Sequence, residues 1–107
     1  MEALETKKSF EELSHDEYRK YARIFKALSD ETRLKIMHYI IQEGRHCVME
    51  IADALQISQT ASSRNLKILR EAGLLRDERI NPCIFYEILP EHIELIDFIT
   101  RKFEGEK

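Results

Sequence analysis

Apolar residues recur at helical spacing along the first two thirds of the chain. After Ser14, with Glu17 three residues on as in a capping box, Tyr18, Tyr21, Ile24 or Phe25, and Leu28 share a stripe, which predicts a helix from about 15 to 28. The stretch "SDETRLKIMHYIIQEG" offers Asp30 as N-cap, Leu34, Met37, Ile40 and Ile41 on one face and Gly44 as a stop, which predicts a second. In "HCVMEIADALQIS", Val48, Ile51, Ala52 and Leu55 form one stripe, so a short third helix ends near Gln56. Ser58 caps a fourth, "SQTASSRNLKILREAG", whose first two turns are nearly all polar and whose later turns carry Leu66, Ile68 and Leu69. Gly73 ends it.

From Leu74 the period shifts towards two. "LLRDERI", an Asn-Pro turn and "CIFYEIL" predict a β-hairpin with charges on the outgoing strand and β-branched and aromatic residues on the return. Pro90 suits a helix's first position, and Ile93, Ile96, Thr100 and Phe103 form a stripe in "PEHIELIDFITRKF", with Leu95 and Ile99 beside it. A terminal helix this broadly apolar buries itself most simply against its own copy. At the other end, Leu4, Phe10 and Leu13 give a sparse stripe to a helical arm over residues 1–13 that needs a partner surface to persist. The break "QIS" between two short helices is the spacing of a helix-turn-helix. The expected fold is therefore mainly α with a small β-hairpin: a winged helix-turn-helix, homodimeric through its terminal helices. One domain spans 1–107, with the helix-turn-helix at 47–73, the wing at 74–89 and the dimerisation helix at 90–104.

The length of 107 residues suits a single core that needs no disulfides, and 35% charged residues with three Gly and two Pro suit a helix-rich, loop-poor chain. No apolar run approaches the roughly 18 residues of a membrane span and no secretory block is present, so a cytoplasmic location is expected. Two cysteines thirty-six positions apart match neither a disulfide framework nor a Cys-x-x-Cys motif. The net charge of −3 argues against a nucleic-acid partner, yet residues 58–79 carry five cations against three anions. A basic face on an acidic body follows. No carboxylate pair, Ser-His-Asp set or phosphate-cradling glycine loop is present, so an enzyme is not expected.

The blocks "FKALSDETRLKIMHYI", "CVMEIADALQIS", "SQTASSRNLKILREAGLL" and "IFYEI" resemble, in order and spacing over residues 21–89, the ArsR/SmtB family of small transcriptional repressors. The resemblance implies a homodimer on a palindromic operator of double-stranded DNA, released by a metal ion or another effector, with the first and last helices as its interface. Leu4, Phe10, Leu13, Ile93, Ile96 and Phe103 are the interface residues this implies. The family's recognition helix reads close to Ser-Gln-Ser-Thr-Val-Ser-Arg-His-Leu-Lys. Ser58, Gln59, Ser63, Arg64, Leu66 and Lys67 match it, whereas Thr60, Ala61, Ser62 and Asn65 depart.

Gln59, Thr60, Ser62, Ser63, Arg64 and Asn65 are short or hydrogen-bonding residues that suit base edges and phosphate; Gln pairs with adenine and Arg with guanine. Lys67, Arg70, Arg76 and Arg79 suit phosphates. The plainer alternatives are ordinary helix capping for the first group and a solvated charged face for the second.

Family members sense thiophilic metals at a Cys-Val-Cys-acid pair opening the third helix, where this chain has Cys47-Val48-Met49-Glu50. A thioether is a poor ligand for arsenite or zinc and an adequate one for copper(I). The family's zinc site on the last helix is missing, because no histidine follows His92. Three readings of the cysteines stay open. Cys47 with His46 or Met49 binds a soft metal effector, Cys47 and Cys83 report oxidants, or both only pack. An intramolecular disulfide is not expected: pairing of residues 46–48 with Tyr86–Ile88 would leave Cys83 three to five residues away, roughly 10–16 Å. No resident cofactor is expected. Two other functions remain consistent with the residues: a winged-helix protein-interaction module, and a DNA-binding regulator without an effector.

Overall fold

A computed structural model describes residues 9–105. A 3-10 turn at Phe10–Glu12 precedes α1 (His15–Leu28) and α2 (Glu31–Glu43). Then come β1 (His46–Cys47), α3 (Val48–Leu55), α4 (Gln59–Glu71), β2 (Leu75–Ile80), β3 (Cys83–Ile88), a second 3-10 turn (Pro90–His92) and α5 (Ile93–Phe103).

The caps read from the sequence form. The Ser14 hydroxyl accepts from Glu17 N at 3.4 Å, the Asp30 carboxylate from Arg33 N at 3.0 Å, and the Ser58 hydroxyl from Ala61 N at 3.0 Å. Each supplies a partner to an amide that the helix leaves open. Gly44 closes α2 at φ 82°, where a side chain would be strained. In the helix-turn-helix itself, Gln56 takes the left-handed conformation at φ 58°, ending α3 one residue after Leu55.

The core gathers Ile24 and Leu28 of α1, Ile36, Met37 and Ile40 of α2, Ile51 of α3, Leu66 and Leu69 of α4, Leu74, Leu75, Tyr86 and Ile88 of the wing, and Ile96 of α5. Two corrections to the expected faces follow. In α2 the buried stripe is Ile36, Met37 and Ile40, with Leu34 and Ile41 only half-buried, because α2 is covered from two sides and its apolar arc is centred one residue later. In α5, Ile96 is 1% exposed and belongs to the core of its own subunit, so it is not an interface residue. Phe10 is 77% exposed beside Tyr18, Leu4 lies outside the described residues, and the described part of the arm, from Ser9, holds a 3-10 turn at Phe10–Glu12.

The hairpin gains a third strand. The antiparallel sheet has the order β1-β3-β2, with His46 opposite Tyr86 and Cys47 opposite Phe85. This addition ties the entrance of α3 to the wing. β2 pairs with β3 along its length, and its outward residues after Leu75 are exposed, as its charges require.

Polar side chains set α4 in place. Arg33 reaches from α2 to donate Nε to the Ala27 carbonyl at 2.6 Å and Nη1 to Asn65 Oδ1 at 3.0 Å, and Asn65 Nδ2 donates to Ala61 O at 2.9 Å. The fully buried Ser62 hydroxyl donates to Val48 O at 3.0 Å, joining α4 to the first turn of α3. Removing one partner of such a buried set leaves the other without a bond, at about 1–3 kcal/mol. Urea denaturation of Arg33→Ala should therefore show a loss of that size, whereas Lys35→Ala, which breaks only an exposed pair with Glu31, should stay within about 0.5 kcal/mol of the wild type.

Candidate nucleic-acid interface

The periodicity of α4 sorts its polar residues into two faces. Ser62, Asn65, Leu66 and Leu69 point inward, while Gln59, Thr60, Ser63, Arg64 and Lys67, spaced i, i+1, i+4, i+5 and i+8, point outward. Ser62 and Asn65 are thus removed from the expected base readers. Their hydrogen-bonding groups are engaged by Val48 and by Arg33 and Ala61, and both residues are buried.

The five outward residues form one wall of a groove of about 660 Å³. Pro82, Cys83 and Ile84 at the head of β3 form the opposite wall, and Cys47, Val48 and Met49 lie at its floor. An exposed helix of short polar residues beside an open groove lets a backbone of another molecule approach closely, and the amides of the first turn of α4 add a partial positive charge.

Charge pairing separates the cations that serve the fold from those left for a partner. Arg70 pairs with Asp77 at 2.9 Å, a contact that raises its pKa, and also lies 3.9 Å from Glu71. Arg76 pairs with Glu87 at 2.8 Å directly across the strands, and Arg45 with Glu78 at 3.0 Å. Arg70 and Arg76 were expected at phosphates; their guanidinium groups instead brace the wing. Arg64, Lys67 and Arg79 have no ion pair among the described residues, and all three are exposed.

At the floor, Cys47 is 5% exposed and caps α3, its N–H donating to the Glu50 carboxylate at 3.0 Å. That bond, with the Cys47 thiol beside it, lowers the pKa of Glu50. His46, expected as a companion ligand, faces the other way. Its ring bonds Gly44 O through Nδ1 at 2.9 Å and lies edge-on to Tyr39, as alternation along β1 dictates. Met49 remains on the Cys47 side. Cys83 is nearer than the sequence suggested, because the register sets Cys47 opposite Phe85, only two residues along the same face. Both cysteines line the same groove. Hydrogen bonding to Cys47, and secondarily burial, raise the pKa of Cys83. Sequence reading missed this proximity because a register shift of two residues leaves no trace in composition or periodicity.

Among the described residues no helix is long and apolar enough to cross a membrane. Residues 30–77 match the family described as "Bacterial regulatory protein, arsR family". The arsenical resistance operon repressor of Bacillus subtilis is 34% identical over 94 residues, 82% of this chain and 90% of that protein. The arsenic resistance transcriptional regulator ArsR1 of Pseudomonas putida is 42% identical over 78 residues, 73% of this chain and 61% of that longer protein. Among solved structures, the homodimeric winged helix-turn-helix DNA-binding domain of a possible ArsR-family regulator from Mycobacterium bovis superposes with a TM-score of 0.77 at 26% identity, over 94% of this chain and 92% of that one. Sequence and fold agree: the chain belongs to the arsR family of bacterial regulatory proteins, as a winged helix-turn-helix DNA-binding transcriptional regulator and not an enzyme.

Proposed function

We propose that the chain is a homodimeric repressor whose two α4 helices enter successive major grooves of a palindromic operator in the cytoplasm. The observation that carries this reading is the set of exposed cations without an ion pair among the described residues, Arg64 and Lys67 in the groove and Arg79 on β2, beside Arg70 and Arg76, which are neutralised. Gln59, Thr60, Ser63 and Arg64 face base edges; Lys67 and the wing's Arg79 hold phosphates. Half-sites then lie about one helical turn, some 34 Å, apart.

Dimerisation is supported by apolar surface that the fold leaves open. Tyr18, Tyr21 and Phe25 run along the outside of α1, and Phe98 is 60% exposed on the outside of α5, flanked by half-buried Leu95 and Ile99. Ile93 and Phe103 are also exposed, but Ile93 lies beside Ile40 and Ile41, and Phe103 against the His38 ring. A second copy is the natural cover for the α1 and α5 faces, as in the homodimeric Mycobacterium bovis domain. Cys47 at the floor of the groove is the place where a soft metal or thiol-reactive effector acts to release DNA; relatives are named for resistance to arsenic and cadmium.

Fluorescence anisotropy on operator DNA at several salt concentrations tests the interface. Arg79→Ala should lower the slope of log affinity against log salt by about one unit, with Arg76→Ala leaving it nearly unchanged. Arg64→Ala should cost about 1–3 kcal/mol and relax base preference at one position of each half-site. An unchanged slope in Arg79→Ala removes the wing from the contact surface. Sedimentation of Phe98→Glu should show a folded monomer with weakened operator binding; a dimer that persists moves the interface elsewhere.

A further inference from the structure

We propose that Arg23 and Lys26 of α1 hold the phosphate backbone that borders the major groove on the side of α4 away from the wing. This rests on the DNA-binding function proposed above and adds to it a second backbone anchor for each half-site.

Charge pairing along α1 isolates the two residues. Residues 19–26 hold four cations and no anion. Arg19 lies 4.0 Å from Asp16, and Lys20 pairs with Glu91 at 3.2 Å. Arg23 and Lys26 are exposed and have no ion pair among the described residues. Three residues apart, they are neighbours on one side of the helix. That side is turned away from Tyr18, Tyr21 and Phe25, so a second copy covering those aromatics leaves both cations open.

The pair walls a pocket of about 240 Å³ between α1 and the second half of α4, where Ile68 and Ala72 form the facing side. Arg33 of α2 also lines it. The Arg33 guanidinium bonds Ala27 O through Nε and Asn65 Oδ1 through Nη1, with Asp30 4.0 Å away. Its Nη2 has no hydrogen bond among the described residues and is not sealed from solvent. Glu71 is the one carboxylate of the pocket and lies 3.9 Å from Arg70. Three cations against one anion leave the pocket positive.

Its place on α4 gives the partner. α3 meets α4 at Ser62 and α2 meets it at Asn65, so the groove floored by α3 and this pocket lie on opposite flanks of the outward face. Arg64, Ile68 and Ala72 follow one another at four-residue spacing, so the pocket begins directly behind Arg64. A helix about 10–12 Å across fills a major groove about 12 Å wide, and a phosphate backbone passes on each side of it. Arg79 of the wing serves one backbone; Arg23 and Lys26 meet the other. A phosphodiester seated between them also offers an acceptor to Arg33 Nη2, so backbone docking and the orientation of α4 through Asn65 meet in one side chain. Exposed cations hold a lone anion weakly in water. A duplex gains more from them, because each phosphate they neutralise releases condensed counterions.

Fluorescence anisotropy on operator DNA at several salt concentrations tests this in Arg23→Ala, Lys26→Ala and the double variant. Lys35→Ala, beside Phe103, controls for lost charge. The side chains of Arg23 and Lys26 hold nothing in the fold, so the urea midpoint should not move. Each single change should lower the slope of log affinity against log salt by about one unit for every phosphate contact it removes. The loss should be equal on operator and scrambled duplex, since phosphates carry no sequence. Lys35→Ala should leave the slope unchanged. Replacing single phosphates by neutral methylphosphonates then locates the contact: at the bordering position the wild type should lose about tenfold in affinity and the double variant nothing. A double variant with the wild-type slope, or methylphosphonate losses equal in the two proteins at every position, overturns the second anchor, while operator binding and the Arg64→Ala effect still uphold the proposed function. Saturable binding of inorganic phosphate to the wild type, lost in a double variant whose slope on DNA is unchanged, makes the pocket a free-anion site and overturns the duplex reading. Failure of the wild type to bind operator overturns the proposed function, and this anchor with it.

Discussion

The guanidinium of Arg33 holds three segments at once, and the presentation of the reading helix depends on it. One arm closes the end of α1 through the Ala27 carbonyl; the other fixes Asn65 in the middle of α4. The backbone of Arg33 in turn completes the Asp30 cap that starts α2. A helix whose first two turns carry almost no apolar side chain cannot be oriented by hydrophobic burial alone, which acts mainly through Leu66 and Leu69 further on. Directional bonds from Arg33 and Ser62 take over where burial runs out. They leave Gln59, Ser63 and Arg64 free because Ser62 and Asn65 are not.

The same division of labour runs through the wing. Its cations alternate between those that neutralise a neighbour and those that do not. Arg70 reaches from α4 to Asp77 and Arg76 crosses to Glu87, so the hairpin is braced on both of its outer faces. Exposed pairs of this kind contribute little each. Their effect is to fix the angle of the wing and to remove two positive charges from competition for phosphate. On α4 and the wing, the cations left without an ion pair are Arg64 and Lys67 in the groove and Arg79 on β2, and such a local excess makes a net charge of −3 compatible with a DNA partner.

Most of the helical framework was legible in the sequence, because caps and stops are local. Ser14, Asp30 and Ser58 bond amides three residues away, and Gly44 needs only its own backbone freedom. The faces of α4 were not legible, since Ser and Asn are equally at home in water and in a satisfied interior. The partner that decides for Asn65 lies 32 residues earlier in the chain. The third strand was equally hidden: two residues, His and Cys, carry no strand signal of their own and extend only because β3 offers them an edge. Ile96 was misread for a related reason. Its stripe on α5 is continuous with the outward one, and only the fold shows which of the two apolar arcs meets α2.

Cys47 stands at the junction of β1 and α3. It is the last residue of a strand that pairs with the wing and the N-cap of the first helix of the helix-turn-helix. Its amide is held by Glu50, its side chain is buried against the wing, and the next residue's carbonyl receives the Ser62 hydroxyl of α4. A change in what the Cys47 sulfur binds would therefore lie within a few bonds of both the wing and α4. Under the proposed function, coupling between an effector and an operator would need no long path, only a difference in how the wing and α4 sit when that sulfur is a thiol and when it is not.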